Sequence, residues 1–223
     1  MNSDSIIASQ FSSYIYISNK DIFSFYCTKD EASQSDRLYI ENELISNKDI
    51  ITVPSDSNCL IHSILVSLYS LSFNNFINIL TTLSSEFEIS LNLELYNYDP
   101  NTANYFNNNQ IFFSLFAQHA IRSAIRKYWC FYNSEYEYHK NPDMHINEYA
   151  VDGLARNLLC KLFCIPQLTV YQAFDDESRK KGIRNFKPIG ILQDSSTQDY
   201  FYSFEKYNVN VFSINSKHYD ALI

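Results

Sequence analysis

The segment that decides the fold spans residues 56–64 and reads DSNCLIHSI. Before it, the β-branched run at residues 50–53 predicts a short strand that ends ahead of Pro54. Asp, Ser and Asn, which directly precede Cys59, all favour the N-cap of a helix. Apolar residues then recur at helical spacing, at Leu60, Ile61, Ile64, Leu65, Leu68 and Leu71. We therefore predict a strand, a polar loop and a helix with Cys59 in its first turn.

Cys59 has a placement that suits nucleophilic chemistry. A helix N-terminus carries partial positive charge and unbonded N–H groups, and both stabilise a thiolate. The amides of Cys59 and of the loop formed by Asp56, Ser57 and Asn58 could also bind the negative oxygen of a tetrahedral intermediate. The alternative reading, a cysteine that is simply buried, stays open because free cysteines are often core residues.

The other cysteines do not share this placement. Cys160 and Cys164 lie four positions apart in an apolar segment and are interpreted as packing residues on a helix. No second Cys or His pair has the matching spacing of a metal site, so the sequence predicts no bound metal.

Two histidines are candidates for the base that a cysteine hydrolase needs. His62 follows Cys59 by three residues on nearly the same helical face, whereas His218 can meet Cys59 only through the fold. Alternate residues of a strand share a face, so Asp220 lies on the side of His218 and could accept its Nδ1 proton, with Nε2 toward the thiol. His62 has no such carboxylate in its own turn, and His218 is favoured.

The rest of the chain alternates helical and strand patterns. Long helices are predicted at residues 111–132 and 151–163, and the second ends there because the residue before Pro166 avoids the helical conformation. The Asn-rich tract at residues 101–109 is interpreted as a mobile surface loop. Strands are predicted at residues 14–17, 22–26, 168–171, 209–214 and 218–223, with a turn at residues 215–217.

Composition and charge exclude several classes of function. The chain has 223 residues, 46% of them hydrophobic, which suffices for the core of one domain with or without an arm. Its net charge of −8 opposes binding to a phosphate backbone and argues against a nucleic-acid partner. No apolar run reaches the about 18 residues of a membrane span, and the Met1 end lacks a secretory signal pattern. Five cysteines without paired spacing favour a reducing, cytosolic compartment over a disulfide framework.

Two motifs resemble those of a known family. Residues 56–64 resemble the Asp-Gly-Asn-Cys-Leu-Phe-Arg-Ala/Ser-Ile motif of the ovarian tumour (OTU) family of cysteine proteases. Residues 217–220, Lys-His-Tyr-Asp, resemble that family's closing His-Tyr-Asp/Asn motif. Between them, residues 150–172 loosely resemble the family's helix and following strand, which often ends in Val-Tyr. The resemblance covers about residues 50–223.

The resemblance implies an α+β, papain-like OTU fold with a small, mostly antiparallel sheet between helices. Residues 50–223 would form the catalytic core, and residues 1–49 an accessory arm whose aromatics, including Tyr14 and Tyr16, look exposed and could add a ubiquitin-binding surface. The implied activity is hydrolysis of isopeptide bonds after the C-terminus of ubiquitin, polyubiquitin or a ubiquitin-like protein, without a cofactor. Carried over, the motifs make Cys59 the nucleophile, His218 the general base and then acid, and Asp220 the orienting group.

The sequence departs from the family pattern in three places. Ser57 stands where Gly is usual, His62 where Arg is common, and the usual Trp-Gly pair is missing near residues 148–151. If position 57 requires a positive φ, Ser is disfavoured there and the loop of Asp56 would be misaligned.

Two alternatives to the implied function therefore stay open. One is a ubiquitin-binding module without activity, and the other is a cysteine hydrolase acting on a different peptide-like substrate. The abundance of Tyr (18) and Phe (17) beside only 3 Gly is what AT-rich codons produce. Together with a eukaryotic type of substrate, this bias indicates a bacterial effector in the host cytosol, a viral enzyme or a protist enzyme.

Overall fold

The computed structural model describes residues 13–18, 48–132, 153–172, 187–193, 200–214 and 218–223. Within these ranges the chain is α+β, as the family resemblance implies. The predicted strand at residues 22–26, the predicted turn at residues 215–217 and the missing Trp-Gly position lie outside the described residues.

The described strands form one sheet. They are β1 Ile15–Ile17, β2 Ile50–Thr52, β3 Gln167–Gln172, β4 Lys187–Gln193, β5 Val209–Ile214 and β6 His218–Leu222. Their order is β1-β2-β6-β5-β3-β4. Only the β3–β5 pair is parallel among these described strands, so the prediction of a mostly antiparallel sheet is confirmed.

Strand β6 lies inside the sheet, between β2 and β5. All of its positions are buried. Because neighbouring residues of a strand point to opposite faces, burial at every position means that both faces are covered here. The strand that carries His218 and Asp220 is therefore held rigidly within the core.

The described helices are α1 Cys59–Leu71, α2 Phe73–Glu86, α3 Thr102–Asn108, α4 Gln110–Leu115, α5 Arg122–Tyr132 and α6 Gly153–Leu162, with a 3-10 turn at Leu93–Tyr96. None of the helices in the described part of the chain is long and apolar enough to cross a membrane.

Helix α1 packs across β6 and β5. The Ser63 hydroxyl donates to the carbonyl of Tyr219 at 2.9 Å, and the Ser67 hydroxyl lies 3.5 Å from the carbonyl of Asn210. Such bonds to buried main-chain carbonyls fix how far the helix can slide along the sheet. They hold the start of α1 beside the start of β6.

The Asn-rich tract is largely helical, so its interpretation as a mobile loop is wrong. Asn101 caps α3 by accepting a hydrogen bond from the Asn104 amide at 3.0 Å. Tyr105 and Phe106 are buried. Their rings pack on Tyr69 of α1, at centroid distances of 4.4 and 5.6 Å. Aromatic burial and an Asn cap outweigh the low helix propensity of the tract.

The long helix predicted at residues 111–132 exists but is irregular. A π-helical turn, Phe116–Ile121, separates α4 from α5. A π turn shifts the residues that follow it around the helix axis, so a single 3.6-residue period does not describe the whole segment.

Helix α6 ends at Leu162, one residue before its predicted end, but it ends in a different way from the one predicted. Cys164 has a φ of 55°, and the Ile165 amide donates to the Cys160 carbonyl at 2.8 Å. This left-handed termination places Cys164 beyond the helix, so the two cysteines do not share a helical face. The thiol of Cys164 donates to the Tyr202 carbonyl at 3.1 Å. Cys160 and Cys164 are buried free thiols, which agrees with their interpretation as packing residues.

Candidate active site

Cys59 is the first residue of α1 and directly follows the loop at residues 54–58. Its side chain is a free thiol, and 2% of the residue is exposed. The packing of α1 on β6 brings this thiol close to His218, and the interaction between the two side chains raises the pKa of His218.

His218 and Asp220 lie on one face of β6. The Nε2 atom of His218 is 2.9 Å from Oδ1 of Asp220. The same carboxylate oxygen accepts the Val53 amide at 2.9 Å, just after β2. Asp220 is fully buried. The predicted ring orientation is reversed, because Nε2 faces the carboxylate and Nδ1 is the nitrogen left for the thiol.

The three side chains make a charged arrangement favourable. Burial on its own lowers the pKa of His218, but the hydrogen bond to Asp220, the hydrogen bond to Cys59 and the charges of both raise it from 6.5 to about 10. The imidazolium is thus stabilised between a carboxylate and the thiol. This is the arrangement that a thiolate–imidazolium pair requires.

The loop at residues 56–58 is folded on itself. The Asn58 amide donates to Oδ1 of Asp56 at 2.8 Å, and the Cys59 amide donates to the Asp56 carbonyl at 3.2 Å. The Asp56 amide donates to the Pro54 carbonyl at 2.9 Å. The amides expected to be free for an oxyanion are therefore mostly engaged, and the longest of these bonds is that of Cys59.

Ser57 does not need the conformation that would make Gly necessary. Among the described non-glycine residues, only Glu88 and Cys164 have a positive φ. Serine is therefore unstrained at this position, and the predicted misalignment of the loop has no backbone cause.

Arg122 is a component of the site that the sequence does not reveal. Its Nε donates to Oδ1 of Asn58 at 2.6 Å, and its Nη2 donates to the Ser57 carbonyl at 2.7 Å. Only 1% of Arg122 is exposed. Because Asn58 uses its side chain in this contact, it does not cap α1 with it.

A regular helical period places Arg122 away from the apolar face of the helix. The sequence pattern therefore does not predict that Arg122 is buried beside the loop of Cys59. The π turn at Phe116–Ile121 ends immediately before Arg122. The change of phase turns its guanidinium toward the loop of Cys59.

His62 is not the partner of Cys59. Its Nδ1 is 3.0 Å from the hydroxyl of Tyr14, and its Nε2 is 3.4 Å from Oδ2 of Asp56. Both ring nitrogens thus face other groups. The turn of His62 itself carries no carboxylate, as predicted, and the carboxylate that faces His62 is Asp56 from the preceding loop.

The described residues offer no metal centre. Among them, no group of three or more His, Cys, Asp or Glu side chains is arranged to hold an ion.

Sequence comparisons and structural comparisons give different results. Neither a sequence model of a protein family nor a curated protein matches the chain. A structure of h/ceOTUB1 with ubiquitin aldehyde and UBCH5B~Ub is similar to this chain, with a TM-score of 0.59 and 14% sequence identity. The alignment covers 98% of this chain and 92% of that chain. A structure of ceOTUB1 with ubiquitin aldehyde and UBC13~Ub is also similar, with a TM-score of 0.54 and 14% sequence identity. The alignment covers 99% of this chain and 97% of that chain.

At this level of identity the similarity shows the fold. The chain has the OTU fold of OTUB1, and the fold implied by the two sequence motifs is confirmed.

Proposed function

We propose that the chain is a thiol-dependent isopeptidase that cleaves the bond after the C-terminus of ubiquitin or a ubiquitin-like protein. The observation that carries this proposal is the contact of Cys59 with His218, whose other nitrogen lies 2.9 Å from Asp220. A thiol at a helix start, a histidine and an orienting carboxylate are the parts of a cysteine hydrolase. The OTU fold supports the choice of substrate, because both similar structures contain ubiquitin aldehyde.

The reaction follows from the charges of these groups. The Cys59 thiolate attacks the carbonyl carbon of the isopeptide bond and forms a C–S bond. The His218 imidazolium gives its proton to the departing lysine amine as the C–N bond breaks. Neutral His218 then takes a proton from water, which attacks the thioester and releases the thiolate and a free carboxylate. No cofactor takes part in these steps.

The oxyanion that forms during attack needs a donor beside Cys59. The Cys59 amide is the best placed, because its bond to the Asp56 carbonyl is 3.2 Å long. A charged oxygen is a stronger acceptor than a neutral carbonyl and can take over this N–H with little movement of the loop. Since 2% of Cys59 is exposed, productive binding also has to widen the approach to the thiol.

A second candidate function is a ubiquitin-binding module without hydrolytic activity. The amides of Asp56, Asn58 and Cys59 are all bonded within the loop and its flank, and this observation favours it. If ubiquitin binding cannot release the Cys59 amide, the intermediate is not stabilised and the chain only binds.

Cleavage of ubiquitin chains tests the proposal directly. The wild-type chain should cleave at least one type of diubiquitin, Cys59→Ala should not, and both should bind ubiquitin. Cys164→Ser is the matched control, because a hydroxyl can replace the thiol that donates to the Tyr202 carbonyl. Binding without cleavage of any linkage by the wild-type chain would support the second candidate. If the wild-type chain neither cleaves diubiquitin nor binds ubiquitin, a different peptide-like substrate is favoured.

A further inference from the structure

A row of polar side chains, buried at Tyr14 and His62 and exposed at Asp56, connects the start of the N-terminal strand to the loop of Cys59. The hydroxyl of Tyr14 lies 3.0 Å from Nδ1 of His62, and Nε2 of His62 lies 3.4 Å from Oδ2 of Asp56. Tyr14 is 2% exposed and His62 is 1% exposed, so water does not compete for the contact between them. The second contact is an ion-pair distance without the alignment of a good hydrogen bond.

The Tyr14 hydroxyl keeps its proton in this environment. Burial, followed by the charge of Asp56, holds the pKa of Tyr14 well above its usual value. The hydroxyl shares one hydrogen bond with Nδ1 of His62, and Nε2 of the same ring faces the carboxylate of Asp56.

Tyr14 is itself held firmly by α3. The side chain of Asn107 accepts the Tyr14 amide at 3.0 Å and donates to the Tyr14 carbonyl at 2.7 Å. The Tyr14 ring packs on Phe106 at a centroid distance of 5.1 Å. Contrary to its exposed-looking sequence context, Tyr14 is thus a fixed point of the core.

We propose that Tyr14 is a positioning residue of the Cys59 loop and acts through His62 on Asp56. Asp56 accepts the amides of Asn58 and Cys59, so its position sets the shape of the loop. Loss of the Tyr14 hydroxyl leaves Nδ1 of His62 buried without its partner, and the ring no longer holds Asp56 in one place. The kinetic consequence rests on the proposed isopeptidase function, whereas the effect on the loop does not.

The test compares Tyr14→Phe with Tyr105→Phe in the full chain. Tyr105 is also 2% exposed, and its hydroxyl also makes one buried bond, to the Leu95 carbonyl at 2.7 Å. The two variants should lose similar stability. Only Tyr14→Phe should raise the exchange rate of the Asn58 amide measured by NMR, by about threefold to tenfold relative to amides in the middle of α1.

Hydrolysis of a fluorogenic ubiquitin substrate gives the second readout. Tyr14→Phe should lower kcat by about fivefold to tenfold with KM unchanged, while Tyr105→Phe keeps the wild-type kcat. Unchanged Asn58 exchange in Tyr14→Phe overturns the proposal, and so does an unchanged kcat in an active enzyme. A wild-type chain without hydrolysis refutes the isopeptidase function instead, and Asn58 exchange alone then decides the role of Tyr14.

Discussion

Nε2 of His218 lies 2.9 Å from Oδ1 of Asp220, two residues further along the same strand. The carboxylate oxygen also accepts the Val53 amide, so its position is set by main chain from a neighbouring segment. A buried carboxylate fixed in this way holds the imidazole ring by Nε2 and leaves Nδ1 for other partners. The position of the His218 ring is therefore fixed by residues within the sheet.

Asp220→Asn should move the alkaline limit of activity to lower pH. Wild-type His218 has its pKa raised to about 10 against the effect of burial, and Asp220 is the largest raising influence. The imidazolium that protonates the leaving amine is thus present below this pH and is lost as pH rises through it. An amide keeps an acceptor for the ring but lacks the charge, so the pKa of His218 falls.

A pH profile of kcat/KM with a fluorogenic ubiquitin substrate measures this shift. Asp220→Ala should lose more activity than Asp220→Asn at every pH, because it removes the acceptor as well. Superimposable alkaline limbs for the wild type and Asp220→Asn would show that another group orients His218.

The two histidines should differ strongly in kinetics. His218→Ala should lower kcat by about a hundredfold to ten-thousandfold, because it removes the group that transfers protons. His62→Ala removes the contact to Asp56 in the loop and the hydrogen bond to Tyr14, but no group that transfers protons, and should cost about tenfold or less. Steady-state kinetics at matched folded fraction decide the order, and a larger loss for His62→Ala would contradict the assignment of the base.

Arg122→Met should destabilise the chain and weaken the site together. The substitution leaves the side-chain oxygen of Asn58 and the carbonyl of Ser57 without their buried donor, at a cost of about 1–3 kcal/mol for each group. Urea unfolding measures the free-energy change. Lys127→Met on the same helix is the control, because its exposed ion pair with Glu86 contributes about 1 kcal/mol or less. Equal losses of unfolding free energy in the two variants would show that the contacts of Arg122 to Asn58 and Ser57 do not stabilise the chain more than an exposed ion pair does.

Local patterns were sufficient for the elements that carry the candidate triad. The helix at Cys59 follows from helical spacing, although Asn58 makes no side-chain cap, and the strand of His218 and Asp220 follows from alternation and a turn. Local pattern does not predict that this helix and this strand come together. Only the resemblance of the two motifs to the OTU family implies it.

Other elements depend on contacts that no local pattern records. The Asn-rich tract becomes α3 because Tyr105 and Phe106 are buried against α1. Strand β4, which contains Pro188 and Gly190, is absent from the prediction because both residues normally oppose strand structure. It is tolerated at the edge of the described sheet, where the register of its partner is also irregular.

The contacts around the loop of Cys59 join residues that are far apart in the sequence. Tyr14 and His62 are 48 positions apart, and Arg122 is 64 positions from Asn58. Such pairs depend on how the sheet and helices pack together. The π turn also shifts Arg122 out of the phase that a regular helical period predicts.

The most direct test of the central claim is reaction with a ubiquitin that carries an electrophile at its C-terminus, followed by mass mapping of the modified residue. The wild-type chain should form one covalent adduct, located on Cys59, and Cys164→Ser should form the same adduct. His218→Ala should react far more slowly, because the thiolate loses its imidazolium partner. An adduct on a different cysteine, or a chain that binds this ubiquitin without forming any adduct, would contradict Cys59 as the nucleophile of a ubiquitin isopeptidase.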